Sequence, residues 1–152
     1  MATIDIQIAT GEAPTPSTED LRRWCESALP DDKRDAEIAL QVVDAAAIQT
    51  LNKDYRGKDK ATNVLSFPSD LPPEVELDHL GDILICAAVV AEEAQEQQKS
   101  AEAHWAHMVV HGTLHLLGYD HIDEQDAIEM ETLETHILHG LGYSDPYGAT
   151  RC

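Results

Sequence analysis

The sequence predicts an α+β fold, one small mixed β-sheet packed on helices. Two observations predict it. In the first half, short stretches alternate apolar and polar residues with period two, the pattern of half-buried strands. In the second half, apolar residues recur three and four apart, the pattern of helices. The order reads β-α-β-α-β-β-α-α-α, with strands early and helices late. The length, 152 residues, suits a single domain spanning 1–152.

Each element has a local reason. Thr3 to Ile8 (TIDIQI) puts Ile4, Ile6 and Ile8 on one face and predicts a strand. GEAPTPS is a loop, and Ser17 with Asp20 gives an N-cap signal for a helix to about Leu29. PDDKRD turns the chain, and Glu37 to Val43 (EIALQVV) alternates again. Asp44 can cap AAAIQTLNKDY, whose Ile48, Leu51 and Tyr55 share a face. Thr62 to Phe67 (TNVLSF) is a short strand stopped by Pro68. Ser69 to Leu80 is acidic, holds Pro72 and Pro73, and predicts a surface loop in which His79 is solvated. Asp82 to Ile85 (DILI) is an apolar strand after Gly81. Helices follow over Ala87 to Gln98 and from near Ala101. Asp123 can cap a last helix with Met130, Leu133, Ile137 and Leu141 inward, ended by Gly140 and Gly142.

Composition narrows the function classes. The longest apolar run, Ile83 to Ala91, has nine residues, short of the ~18 a membrane span needs. The start, MATIDIQIAT, lacks the basic and apolar regions of a signal peptide. Cys25, Cys86 and Cys152 are odd in number and form no C-x-x-C pair, which points to free thiols in a reducing, cytoplasmic setting. Ten basic against twenty-nine acidic residues give a net charge of −19, which opposes sequence-blind binding to long nucleic acid. Yet Lys53, Arg56, Lys58 and Lys60 lie within one short stretch, a cationic spot able to hold a phosphate.

HGTLHLLGYDH, from His111 to His121, has the spacing H-x-x-x-H-x-x-G-x-x-H. Positions four apart share a helix face, so His111 and His115 can reach one ion. Gly118 can end the helix in a left-handed conformation, and His121 can then approach from a third direction. Three imidazoles with one open position fit a catalytic zinc site, since structural zinc usually has four protein ligands. His104 and His107 lie on nearly the same helical face. They read as ordinary helix residues or as lining the approach, with His107 as a fourth ligand the alternative. His136 and His139 suit the dipole and carbonyls at a helix end. Asp120 and Asp123 can orient an imidazole or serve as caps.

Zinc peptidases place a catalytic Glu after the first His of this pattern. This chain has Gly112 there, and Glu102, Glu92 and Glu93 belong to other turns or another helix. Peptide hydrolysis by that route is therefore disfavoured. Zinc still lowers the pKa of water to about 7 without a protein base. The guanidinium of Arg56 can grip a phosphate in bidentate fashion, so metal plus arginine favours phosphodiester chemistry.

HGTLHLLGYDH, with YRGKDKATNVLSFP (Tyr55 to Pro68), GDILI (Gly81 to Ile85), the tail METLETHILHGLGY and the closing DPY, resembles the YbeY endoribonuclease family. The resemblance implies a zincin-like core and a metal-dependent, single-strand-specific endoribonuclease. Such enzymes act in 3′ maturation of small-subunit ribosomal RNA and in ribosome quality control. It implies one zinc ion on His111, His115 and His121, with Arg56 as the other functional residue. Implied partners are single-stranded ribosomal RNA, the small ribosomal subunit and a GTPase of ribosome assembly. One departure is Thr62-Asn63, where the family often has Thr-Asp. The acidity fits an enzyme delivered to RNA by protein partners. Two other readings stand beside this one: a ribosome-assembly binding factor with a structural zinc, and a metallopeptidase, which Gly112 disfavours.

Overall fold

Nine elements follow one another among the described residues: β1 (Thr3–Ile8), α1 (Thr18–Ser27), β2 (Glu37–Val43), α2 (Ala45–Arg56), β3 (Val64–Pro68), β4 (His79–Cys86), α3 (Ala87–Glu96), α4 (Ala101–Leu116) and α5 (Glu124–Gly140). This is the order the periodicity predicts. The computed structural model describes residues 3–9, 15–29, 36–68, 79–119 and 124–143. Side-chain caps start three of the helices. Ser17 accepts from the Asp20 amide, Asp44 from Ala47 and Ser100 from Ala103.

The sheet order is β1-β2-β4-β3. β1, β2 and β4 are parallel, and β3 runs antiparallel along the outer edge of β4. Period two sorts the strands between two cores. Ile38, Leu40, Val42, Val64, Ile83 and Ile85 face α1 and α4. Leu65, Leu84 and Cys86 face the other way and pack with Ile48 of α2. The sheet is thus covered on both sides.

α4 occupies the centre. It contacts β3 and β4 beneath it and α1, α3 and α5 around it. Its residues are buried on nearly every side, Trp105, Ala106, Val109, Val110 and Leu114 among them. A helix that is apolar all round belongs in an interior, and this one carries the histidines. Where it meets the sheet the approach is close. A Cβ on Gly112 would stand 3.0 Å from Ile83 Cγ2, 3.2 Å from Val64 Cγ2 and 3.3 Å from Ser66 Oγ. Ser66 also donates to the Gly112 carbonyl at 3.0 Å.

Four expectations are corrected in detail. β4 starts at His79, not Asp82, because His79 pairs with Glu37 and Gly81 with Ile38 across a register shift. Ile8 is 41% exposed, near the end of the outermost strand. Tyr55 does not follow Ile48 and Leu51 inward. It is 69% exposed, in the last turn of α2, where Asn52 turns in instead. On α5 the fully buried positions are Met130, Glu134 and Leu138. Leu133, Ile137 and Leu141 flank them, partly buried.

Cys25 and Cys86 are buried free thiols. Burial pushes the Cys25 thiol up to about 12, against the lowering effect of its contact with Thr113. Cys152 and the acidic 69–78 stretch lie outside the described residues. No helix of the described residues is long and apolar enough to cross a membrane.

Gly112→Ala is expected to lose stability. Its helix-propensity gain of about 1 kcal/mol is outweighed by an overpacking cost of about 1–3 kcal/mol, since Ile83 is locked in the core. Thermal unfolding should show a net loss of about 1 kcal/mol. Gly112→Glu, which restores the peptidase letter, should give no cooperative melt at all.

Candidate metal centre

α4 stacks four imidazoles along itself. Ring centroids of His104–His107 and of His107–His111 are 6.1 Å apart, and those of His111–His115 are 4.5 Å apart. The last pair meets through its Nε2 atoms at 3.0 Å. α4 then ends as the sequence predicts. Gly118 has φ 101°, its amide donates to the His115 carbonyl, and the Tyr119 amide donates to Leu114. This Schellman arrangement reverses the chain directly after His115.

A carboxylate stands behind the pair. Glu134 of α5 is fully buried and divides its oxygens between two rings. Its Oε1 accepts from His111 Nδ1 at 2.6 Å, and its Oε2 from His107 Nε2 at 2.8 Å. Burial alone would raise this carboxyl. The two hydrogen bonds outweigh burial and hold it at about 2. Burial pushes the His107 imidazole down, against the raising effect of Glu134. Glu134 is thus held as a charged carboxylate.

That arrangement selects a tautomer. An ionised carboxylate only accepts, so His111 Nδ1 carries the proton and donates. In neutral His111 Nε2 is then an acceptor, and it faces His115 Nε2. Two such nitrogens 3.0 Å apart come close to the spacing of two ligands on one zinc ion. That spacing is roughly 3.3 Å for Zn–N bonds of about 2.0–2.1 Å. The donor set therefore fits a divalent ion on the Nε2 side, with Glu134 orienting His111 from behind, as carboxylates do for metal-bound histidines.

His107, His111 and Glu134 also place ligand atoms within 4.8 Å of one another, a group that could itself hold a metal ion. Their contacts of 2.8 and 2.6 Å are lengths of charge-assisted hydrogen bonds, which an ion at that place would have to break.

A second network sits one turn earlier. His104, buried, meets Glu93 Oε1 at 2.9 Å, and Asn63 Nδ2 donates to both Glu93 oxygens at 3.0 and 3.3 Å. Burial raises the Glu93 carboxyl, but these partners hold it below its usual value. Asn63 is thereby explained. An Asp there would lose the donor and set a second carboxylate against the first.

The structure thus brings His111 and His115 together. His121, Asp120 and Asp123 lie outside the described residues, and Arg56 closes α2 with its side chain outside them too. His104 and His107 are buried partners of carboxylates and not ordinary helix residues. His136 and His139 are exposed on the last turns of α5. Glu134 and Glu93 were missed from sequence. The usable signal for Glu134 was its place between Met130 and Leu138 on one helix face, since a carboxylate on a buried stripe is paired. An open cleft of about 300 Å³ beside the end of α4 is lined by Leu117, Gly118, Tyr119, Asp126 and Glu129. Its carboxylates, Asp126 and Glu129, disfavour phosphate.

In comparisons with known proteins, the sequence model described as endoribonuclease YbeY matches residues 5–142. The chain is also similar to TM1509 from Thermotoga maritima, known from a solution structure. The two are 28% identical with a TM-score of 0.63, over 99% of this chain and 92% of that one.

Glu134→Gln should lower metal affinity by about tenfold to a hundredfold, read by competition with a chromogenic chelator. The same variant tests the carboxyl directly. Glu134 is held at about 2 against an ordinary value of 4.5, so its stabilisation is complete above 4.5 and fades as pH falls towards 2. Acid unfolding of the metal-free variant should lack that part of the wild-type decline.

Proposed function

The chain belongs to the YbeY endoribonuclease family, and from that premise we propose a zinc-dependent, single-strand-specific enzyme for 3′ maturation of small-subunit ribosomal RNA and for ribosome quality control. Membership makes it a metal-dependent endoribonuclease in rRNA processing, a hydrolase of phosphodiester bonds whose substrate is RNA. The finer reading takes residues 1–152 as one cytoplasmic hydrolase domain. His111, His115 and His121 hold one zinc ion, and Arg56 steadies the scissile phosphate. The small ribosomal subunit and an assembly GTPase bring it to its site.

The observation that carries this reading is the His111–His115 Nε2 contact of 3.0 Å, with Glu134 behind His111. The chemistry such an ion supplies when bound is Lewis acidity, which brings the pKa of water to about 7 and polarises a phosphoryl oxygen. The protein residues do the positioning. Glu134 keeps the His111 proton on Nδ1 and so keeps Nε2 available. Gly112 adds no general base, and its close fit to the sheet leaves no room for one. The Arg56 guanidinium adds the fixed positive charge that a phosphodiester needs as it becomes more negative.

A structural ion held by His107, His111 and Glu134 is the second reading, favoured by the proximity of their ligand atoms. Purified wild type, Arg56→Ala, His115→Ala and His107→Gln, assayed on single-stranded RNA with and without chelator, separate the two. Cleavage should fall at least about a hundredfold in Arg56→Ala and His115→Ala, as for loss of a charge-stabilising group. Zinc should stay in Arg56→Ala and His107→Gln and be lost from His115→Ala. Zinc lost from His107→Gln but kept by His115→Ala would put the ion between α4 and α5. Equal cleavage in all four proteins would mean a contaminating nuclease.

A further inference from the structure

Tyr55 is the most exposed large apolar side chain among the described residues, at 69%. It is not loose. Its ring meets Phe67 of β3 edge to face, with centroids 5.2 Å apart and planes at 64°. The backbone around it is tied down as well. Gly57, at φ 70°, ends α2, and the amides of Gly57 and Lys58 donate back to Lys53 and Asn52. Asn52, 2% exposed, reaches across the loop and donates from Nδ2 to the Lys60 carbonyl at 3.0 Å. Gln49 holds Asp59 at 3.0 Å.

The charge around the ring is as selective as its exposure. Lys53, Lys58 and Lys60 are exposed and lie within five residues of it in sequence. With Arg56 they set four cations against Asp54 and Asp59, in a chain whose net charge is −19. An aromatic face among cations on an otherwise acidic body matches the two parts of a nucleotide, a base to stack and a phosphate to neutralise. The place suits the chemistry too. Phe67, which backs Tyr55, is next in sequence to Ser66, and Ser66 donates to the Gly112 carbonyl of α4 between His111 and His115. One edge strand therefore has the aromatic platform on one face and the imidazole helix on the other.

We propose that Tyr55, backed by Phe67 and flanked by Lys53, Lys58 and Lys60, stacks an unpaired base of the RNA and so seats single-stranded substrate at the β3 edge. The proposal rests on the RNA-cleaving reading above. Stacking does not distinguish one base from another, so it selects for unpaired nucleotides and not for a sequence. A base inside a duplex has both faces occupied and gains nothing from Tyr55.

The test measures binding of the zinc-loaded protein to a short fluorescent 2′-O-methyl oligoadenylate and to the same backbone without bases. Tyr55→Leu should weaken binding to the base-bearing strand about tenfold. Tyr55→Trp should bind it at least as well as wild type. Neither should alter binding to the abasic strand, and melting temperature and zinc content should stay at wild-type values. Unchanged oligoadenylate binding in Tyr55→Leu overturns the proposal and leaves the ring to a protein contact. So does a wild type that binds both strands equally. If highly purified wild type cleaves no single-stranded RNA, the RNA-cleaving reading fails, an outcome distinct from cleavage that persists without any role for Tyr55.

Discussion

The burial of one ionised carboxylate organises the centre of this protein. Glu134 is fully enclosed between α5 and α4. A carboxylate taken out of water and left unpaired costs several kcal/mol, so it must be met by donors on both oxygens. His107 and His111, one helical turn apart on α4, supply them. The same two bonds clamp α5 onto α4 and define which ring nitrogen of His111 carries the proton. The stability requirement and the chemical requirement thus have one solution. The proton that satisfies Glu134 is the proton that must not be on His111 Nε2 if that atom is to face a cation. A ligand held this way is pre-organised by packing, which is what a catalytic ion needs from its surroundings.

Gly112 shows the sheet acting on the same helix from the other side. In a zinc peptidase the corresponding glutamate projects from the helix towards a bound water. Here the position is pressed against Ile83, Val64 and Ser66, all within 3.3 Å of where a Cβ would sit. The close approach brings α4 down onto β3 and β4. A missing catalytic letter is thus also a packing decision. Without that base, α4 carries no carboxylate between His111 and His115.

Much of this was legible in the sequence because it is local. Alternation in TIDIQI and EIALQVV, the caps at Ser17 and Asp44, and the glycine after HLL each depend on residues within a few positions. His111 and His115 were legible for the same reason, since a four-residue spacing becomes contact through helix geometry alone. Glu134 was not, because its meaning depends on α4, 23 residues away at His111. Asn63 and Glu93 are the same case, 30 residues apart. Tyr55 failed in the opposite direction. Its heptad distance from Ile48 predicted burial, but in the last turn of α2 Asn52 is the enclosed residue and Tyr55 meets the sheet only at Phe67, edge to face. Periodicity tells which face a residue occupies and is silent on where the opposing surface stops.

The exposure of Tyr55 bears on how so acidic a chain handles RNA. A net charge of −19 repels a polyanion over a reach set by the screening length, about 8 Å at physiological ionic strength. Inside that length the local arrangement decides, and there the chain presents a rigid loop with lysines and an aromatic ring. The net repulsion opposes approach of RNA to most of the surface, most strongly at low ionic strength, and local attraction acts where a strand reaches the lysines. The two together form a filter. A strand with unpaired bases can pass it, whereas free duplex, with its bases already stacked and its charge dense, gains least and is repelled most. Selectivity of this kind needs no sequence reading by the protein. It follows from placing a small cationic, aromatic edge on a strongly negative body.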